Sequence, residues 1–400
     1  MCTLCLTTPP PLCSQTITPL LAVYGLVTST WQLKTFIWAV VYYFATGLGI
    51  TAGYHRLWSH RAYKAAWPVE WALMLLGSGA VEGSIRWWCR DHRAHHKYVD
   101  TERDPYAVTK GFLHAHIGWM LVKQDKTKIG RADITDLNTS PMCRWQHKYY
   151  PLIALVMGFI VPTVVAGFGW GDWRGGYFIA GVARLVFVHH STFCVNSLAH
   201  YWGDETYTDG HTAKNSVITA FVTVGEGYHN FHHEFPSDYR NGVRFYQYDP
   251  TKWLIRALSF VGLTYDLKRF PKNEIHKGAV QMKQKRLNEE KSKLYWGPEV
   301  ARLPVWSWDK ITSKVSKGEK LVVLDGCVLN LESFVPEHPG GERIIKAHIG
   351  KDVSSLFRGE VYRHSNAAHN LQRTFRVATV KGYKLPNSCD EGNFLHNVGK

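Results

Sequence analysis

The chain has 400 residues and a mass of 45.7 kDa, with 45% hydrophobic and 14% aromatic side chains, enough to bury a sizeable core and to exclude a disordered chain. A mean hydropathy of −0.20 argues against a many-span transporter, although an average over aqueous and membrane parts hides individual apolar runs. Lysine plus arginine (47) exceeds aspartate plus glutamate (32), and the net charge of +15 points to an anionic partner: a phosphorylated substrate, lipid head groups or nucleic acid.

The chain opens on Cys2-x-x-Cys5, a lone pair with no second pair downstream. The eight cysteines keep no disulfide rhythm, which indicates a reducing compartment. No basic region precedes the first apolar stretch, so a cleavable signal peptide is not expected. Four membrane spans are predicted. Residues 35–54 and 149–171 carry no charge. Residues 17–33 are shorter and partly polar, and 176–198 is interrupted by Arg184, His189, His190 and Asn196. The spans pair as hairpins turning near Lys34 and near residues 172–175. Between the hairpins, residues 55–148 hold more than a dozen lysines and arginines, whereas the opposite turns hold essentially Lys34 and Arg174. The basic loop and both termini are therefore expected in the cytosol. Shorter apolar pieces, 71–81 and 253–263, read as interfacial or core helices.

Downstream, residues 266–302 are rich in lysine, glutamate and asparagine and read as a solvated linker with one helical piece. From 303 to 385, strand-like runs alternate with helix-like ones, the pattern of a small α+β domain, and 386–400 form a tail. The expected fold class is mainly α: a four-span helical membrane domain over 1–265 with a cytosolic cap, followed by the α+β domain.

Histidine carries the chemistry. Twenty-one are present, and three groups stand out: His55 and His60; His92, His95 and His96; His229, His232 and His233. In the last two groups, spacing i, i+3, i+4 puts three imidazoles on one face of a helix, so each group presents its rings to a common point. Asn196 and His200 lie where the last span leaves the bilayer. Imidazole binds iron, zinc, copper and nickel alike, but nine candidate ligands exceed what one zinc uses, and two metals fit better. His114, His116, His147, His189, His190, His211 and His348 lack such spacing and read as ordinary core or surface residues.

The segments HRLWSHR, DHRAHH, NSLAH and EGYHNFHH resemble the histidine boxes of the membrane acyl-CoA desaturases, from about residue 47 to 270. That resemblance implies that His55, His60, His92, His95, His96, His200, His229, His232 and His233 ligate two irons, with Asn196 reaching one through a water. It also implies substrate contacts at Arg90, Asp91 and Lys123, with Trp88 near an acyl tunnel. One departure is Glu82-Gly83, where animal relatives carry an amide pair.

His338-Pro-Gly-Gly341 alone is only a turn. Within LDGCVLNLESFVPEHPGG and FRGEVYRHSNAA, however, the segment resembles cytochrome b5, which implies haem b with His338 and His364 as axial ligands and Phe334, Ile344, Ile345, Leu356 and Phe357 as apolar walls. Two axial histidines leave no open iron position, so such a haem transfers electrons rather than activating oxygen. A redox donor has no use for zinc, which favours iron at the histidine cluster. With the haem domain last and His229 leading the final box, the pattern resembles the fungal Δ9 stearoyl-CoA type, although those enzymes begin with a longer cytosolic segment and a fuller first span. The implied activity is O2-dependent insertion of a cis double bond into a saturated acyl-CoA such as stearoyl-CoA or palmitoyl-CoA. The resemblance further implies the endoplasmic reticulum membrane, with cap and haem domain cytosolic, electrons from NADH-cytochrome b5 reductase, and membrane lipid but no nucleic acid as partner. Rival readings are a di-iron acyl hydroxylase and a non-catalytic membrane protein that binds haem or metal.

Overall fold

The computed structural model describes residues 9–383 apart from 123, 126, 361 and 362. Among these, three helices are long and apolar enough to cross a membrane: Leu33–Ser59, Pro141–Trp170 and Trp173–His200. Each exceeds the roughly 20 residues needed to traverse a hydrocarbon core of about 30 Å. Large apolar side chains stand outward on them, Leu152 at 61% and Phe168 at 80% exposure. Such a surface marks a membrane protein, since lipid and not water is its favourable solvent.

The fourth predicted span differs. Residues 17–33 do not form one helix: the helix Pro9–Thr28 stops at Ser29, and its apolar part, Thr16–Thr28, rises only about 20 Å. Thr28 Oγ1 turns back to the Tyr24 carbonyl (2.7 Å), and Gln32 is extended at the start of the next helix. The second hairpin closes where Gly171 adopts φ +78° and Asp172 caps the next turn through Gly175 N (2.8 Å).

The polar interruptions in the last span are satisfied inside the protein. The Arg184 guanidinium donates to the carbonyls of Gly79 (2.9 Å) and Gly158 (2.8 Å), and His189 Nε2 pairs with the Ala80 carbonyl (2.8 Å). These bonds fix the span to the turn that follows helix Trp67–Ser78 and to the neighbouring span Pro141–Trp170. That helix packs against the first long span so tightly that a Cβ on Gly49 would lie 2.3 Å from Gly77 N. The second short apolar piece forms helix Pro250–Phe260.

The chain forms two compact units, Met1–Arg286 and Leu287–Lys400. The expected solvated linker is largely an ordered helix, Lys272–Ser292. Its Ile275 is buried with Phe231 and Phe235, and Lys285 and Arg286 reach Asp209 and the Glu205 carbonyl. The second unit holds a four-stranded sheet in the order Val305–Trp306, Arg376–Val380, Cys327–Asn330, Leu321–Leu324. The first pair is parallel and the others antiparallel. The tight Asp325-Gly326 turn, both residues at positive φ, sets the Leu321–Asn330 hairpin register. Val322, Leu324, Leu329 and Val335 form one side of its core, with Phe334 and Phe357 against it.

Candidate metal centre

Helix Leu33–Ser59 ends in a stretch, Gly49–Ser59, with wide i→i+5 turns. That widening brings two residues five apart into register: His60 N donates to His55 O (3.1 Å), and the two rings lie 4.8 Å apart. Helix Ile85–Tyr98, capped by Ser84, carries His92, His95 and His96; helix His229–Glu234 carries His229, His232 and His233.

The rings converge on two points, not on one per helix. His55, His60, His92, His96 and His232 form one group, and His95, His200, His229 and His233 form the other. Within each group the candidate ligand nitrogens lie within 4.8 Å of one another. At about 100° per residue, i and i+4 lie about 40° apart while i+3 falls about 60° to the other side. So His92 and His96 serve the first group and His95 the second, while His229 and His233 serve the second and His232 the first.

The residues fit metal ions on chemical grounds. Nε2 atoms face each other directly: His55 and His232 at 2.9 Å, His60 and His92 at 2.8 Å, His200 and His229 at 3.1 Å. His95 Nε2 is buried without a hydrogen-bond partner. Burial, reinforced by neighbouring imidazoles, holds His60, His92, His96, His229, His232 and His233 well below the usual histidine range, which keeps them neutral and lone-pair-bearing.

A second layer that sequence reasoning missed orients the rings. Glu226 Oε2 lies 3.0 Å from His55 Nδ1, and Asp104 takes His95 Nδ1 at 3.0 Å. Thr212 Oγ1 meets His200 Nδ1 at 2.8 Å and donates to Asp100 at 2.7 Å. Burial pushes the Glu226 carboxyl up, but Arg56 and His55 outweigh it and hold it at about 2. Arg56, fully buried, also reaches Asp249 at 2.9 Å. A carboxylate on Nδ1 leaves Nε2 free to face a metal. Of these residues only Glu226 and Arg56 carried a signal in sequence, their places in the EGYHNFHH and HRLWSHR segments.

Beside the first group opens a cavity of about 520 Å³, lined mainly by apolar side chains and reaching His55 and His92. Val81 and Val224, β-branched yet at φ +58° and +54°, both face it, a strained backbone of the kind that clusters at functional sites. Trp88 forms part of its wall, stacks on His92 (4.9 Å) and donates through Nε1 to Glu82 Oε2 (3.1 Å). Thr192 donates to the other oxygen of Glu82 at 2.7 Å. Burial pushes the Glu82 carboxyl up to about 7 against these two hydrogen bonds. Arg90 and Asp91 lie at the cavity as an ion pair of 2.7 Å, and Asn196 lines it from the last turn of its helix. Lys123 lies outside the described residues.

In the second unit, His338 follows the turn Val335–Glu337, and Gly341 at φ +91° starts the next helix. His338 Nδ1 is buried without a hydrogen-bond partner, and Phe334 stands 5.8 Å from its ring. The His364 ring stacks on Phe357 at 4.2 Å with Nδ1 toward the Phe357 carbonyl (3.1 Å). Of the expected walls, Ile345 is buried in the core whereas Ile344 is exposed.

Comparison with known proteins gives the same division. A family profile described as "Fatty acid desaturase" matches residues 29–268, and one described as "Cytochrome b5-like Heme/Steroid binding domain" matches 307–381. The chain is 54% identical over 364 residues to a probable acyl-CoA desaturase of Schizosaccharomyces pombe, covering 91% of this chain and 75% of that protein. It is 47% identical to acyl-CoA desaturase 1 of Saccharomyces cerevisiae, covering 88% and 69%. It is 38% identical to the stearoyl-CoA desaturase of Homo sapiens, covering 64% and 72%. Two histidine groups, an apolar cavity beside one of them and a match over most of the chain identify this protein as a member of the fatty acid desaturase family with a C-terminal cytochrome b5 domain.

Proposed function

We propose that the chain is an acyl-CoA Δ9 desaturase that takes stearoyl-CoA and palmitoyl-CoA, with residues 1–265 as the membrane desaturase domain and 303–385 as the haem domain. The observation that carries this reading is the pairing of two converging imidazole groups with an apolar cavity that ends against His55 and His92.

The five- and four-histidine groups would hold one iron each, with Asn196 reaching one of the two through a water. His338 and His364 would be the axial ligands of haem b. When bound, the irons supply the one-electron chemistry that lets O2, two electrons and two protons take two hydrogens from adjacent methylenes, leaving a double bond and two waters. The protein's own contribution is positioning. An unactivated methylene offers no handle for acid or base, so the position of the double bond follows from how far the chain enters the cavity before it meets Trp88 and the five-histidine group. Glu226 and Asp104 hold the rings in the tautomer that presents Nε2. Apolar lining excludes water from the reacting carbons.

Arg90, Asp91 and Lys123 would receive the nucleotide end of coenzyme A, whose phosphates suit a basic loop. Residues 55–148 carry the excess of lysine and arginine, which favours a cytosolic face for loop and haem domain in a multi-pass protein of the endoplasmic reticulum. The tethered haem domain, reduced by NADH-cytochrome b5 reductase, would deliver electrons at high effective concentration.

Expression in a cell unable to make monounsaturated fatty acids, followed by mass analysis of its lipids, tests the reading. Products two hydrogens lighter, with the double bond at carbon 9, are expected. A gain of one oxygen would make the chain a hydroxylase instead, and unchanged lipids would remove the enzymatic reading.

A further inference from the structure

The cavity beside the five-histidine group opens at one place. Among the described residues that line it, only Trp87 and Arg90 are exposed, Trp87 to 54%. Trp87, Arg90 and Asp91 stand at i, i+3 and i+4 of helix Ile85–Tyr98, so the indole and the ion pair share one helix face at the opening.

An exposed aromatic is ordinary by itself. What sets Trp87 apart is that its ring is held. His147 meets it edge to face at 5.6 Å and is itself fixed by Ser84, whose Oγ lies 2.7 Å from Nδ1. Gly83, at φ +105°, lies alongside the indole, where a Cβ would come within 3.8 Å of Cε3, and its N–H donates to the Tyr150 hydroxyl at 2.8 Å. Around the ring stand cations. Arg86 and Arg90 are within electrostatic reach of His147, and Arg144 is exposed one turn before it on the span Pro141–Trp170. A fixed aromatic plane bordered by guanidiniums suits a ligand with a flat ring and several phosphates. Bases stack on aromatic faces, and the guanidinium fork matches phosphate oxygens.

We propose that Trp87 is the stacking platform for the adenine of coenzyme A, with Arg86 and Arg90 at its phosphates. The inference rests on the acyl-CoA reading above and deepens it, naming the residue that takes the base where that reading assigns only charged contacts. The acyl chain enters the cavity, and the nucleotide stays at the opening, held by a side chain that takes no part in the chemistry.

The test uses the full-length protein, loaded with iron and haem, in lipid nanodiscs without a reductant, so that nothing turns over. Dissociation constants are read for radiolabelled stearoyl-CoA and for stearoyl-phosphopantetheine, which keeps the acyl chain, thioester and pantetheine arm but lacks the adenosine. Wild type should bind stearoyl-CoA more tightly than the shorter ester. Trp87→Ala and Trp87→Leu should each weaken stearoyl-CoA roughly tenfold while leaving the shorter ester within about twofold of wild type, and Trp87→Tyr, which keeps an aromatic face, should retain most of the affinity. Where the alanine variant does not fold, the leucine variant decides. Equal loss for both esters would make the indole a prop of the opening or an anchor in lipid and overturn the proposal, as would no loss for either. A wild type that binds the two esters alike overturns this inference alone, and one that binds neither overturns the acyl-CoA reading as well.

Discussion

Glu226 faces His55 across 3.0 Å, carboxylate to Nδ1, at the centre of the buried chain Asp249–Arg56–Glu226–His55. The relationship holds a candidate ligand ring at the end of a membrane helix with Nδ1 engaged and Nε2 free. Glu226→Gln keeps shape but removes the charge that opposes Arg56, leaving that guanidinium less compensated. Iron affinity at the five-histidine group should fall by about 10–100-fold, as for other ligand-orienting partners. Iron content after dialysis against a graded chelator series measures it, and equal retention in both proteins would show that Glu226 does not set the site.

His338→Ala and His364→Ala should each abolish the haem absorbance while leaving iron in the membrane unit. His232→Ala should do the converse, weakening iron at the five-histidine group and lowering turnover while haem absorbance and the four-histidine group stay intact. Optical spectra and metal analysis on the same samples separate the two. Turnover retained by either haem variant without added cytochrome b5 would contradict the donor role.

Glu82 has a folded-state pKa raised to about 7 by burial. Between its ordinary value of about 4.5 and pH 7 the unfolded chain is ionised while the folded one keeps the proton. Stability from this group therefore falls as pH rises through that window and is level above it. Glu82→Gln removes the dependence and should raise stability at pH 8 over wild type by about 1–3 kcal/mol, with little difference at pH 4. Unfolding midpoints at the two pH values read it, and an equal shift at both would assign the effect to something other than titration.

Trp88 stacks on His92 and closes one side of the cavity. Trp88→Ala should enlarge that space by roughly the volume of an indole and loosen the seat of the acyl chain. The expected result is turnover lowered by about tenfold or more, with double bonds spread over more than one position. Gas chromatography of the products tests this, and a single unshifted isomer would exclude Trp88 from positioning.

The histidines were legible because ligand residues cluster at helical spacing, and the b5-like segment because its turn and strand pattern is local. What a linear reading did not divide was the second and third boxes between two groups. Helix periodicity turns the i+3 residue away from its i and i+4 neighbours, but which rings it meets is decided by the second helix standing opposite. Register at His55 and His60 was equally hidden, since five-residue spacing meets only where the helix widens at Gly49–Ser59. Asp104 and Thr212 act through the fold, nine and twelve residues from the rings they hold. Near the N-terminus, counting uncharged residues joined 17–33 into one run where Ser29–Gln32 breaks the helix.

Because helices Ile85–Tyr98 and His229–Glu234 each contribute to both imidazole groups, the offset between the groups is set by the pitch of the peptide backbone. A rotation of either helix about its axis would move a ligand toward one group while withdrawing another from its neighbour. The two positions cannot be tuned separately by sliding secondary structure. Only side-chain exchanges at individual rings, or at the acids behind them, can alter one and spare the other.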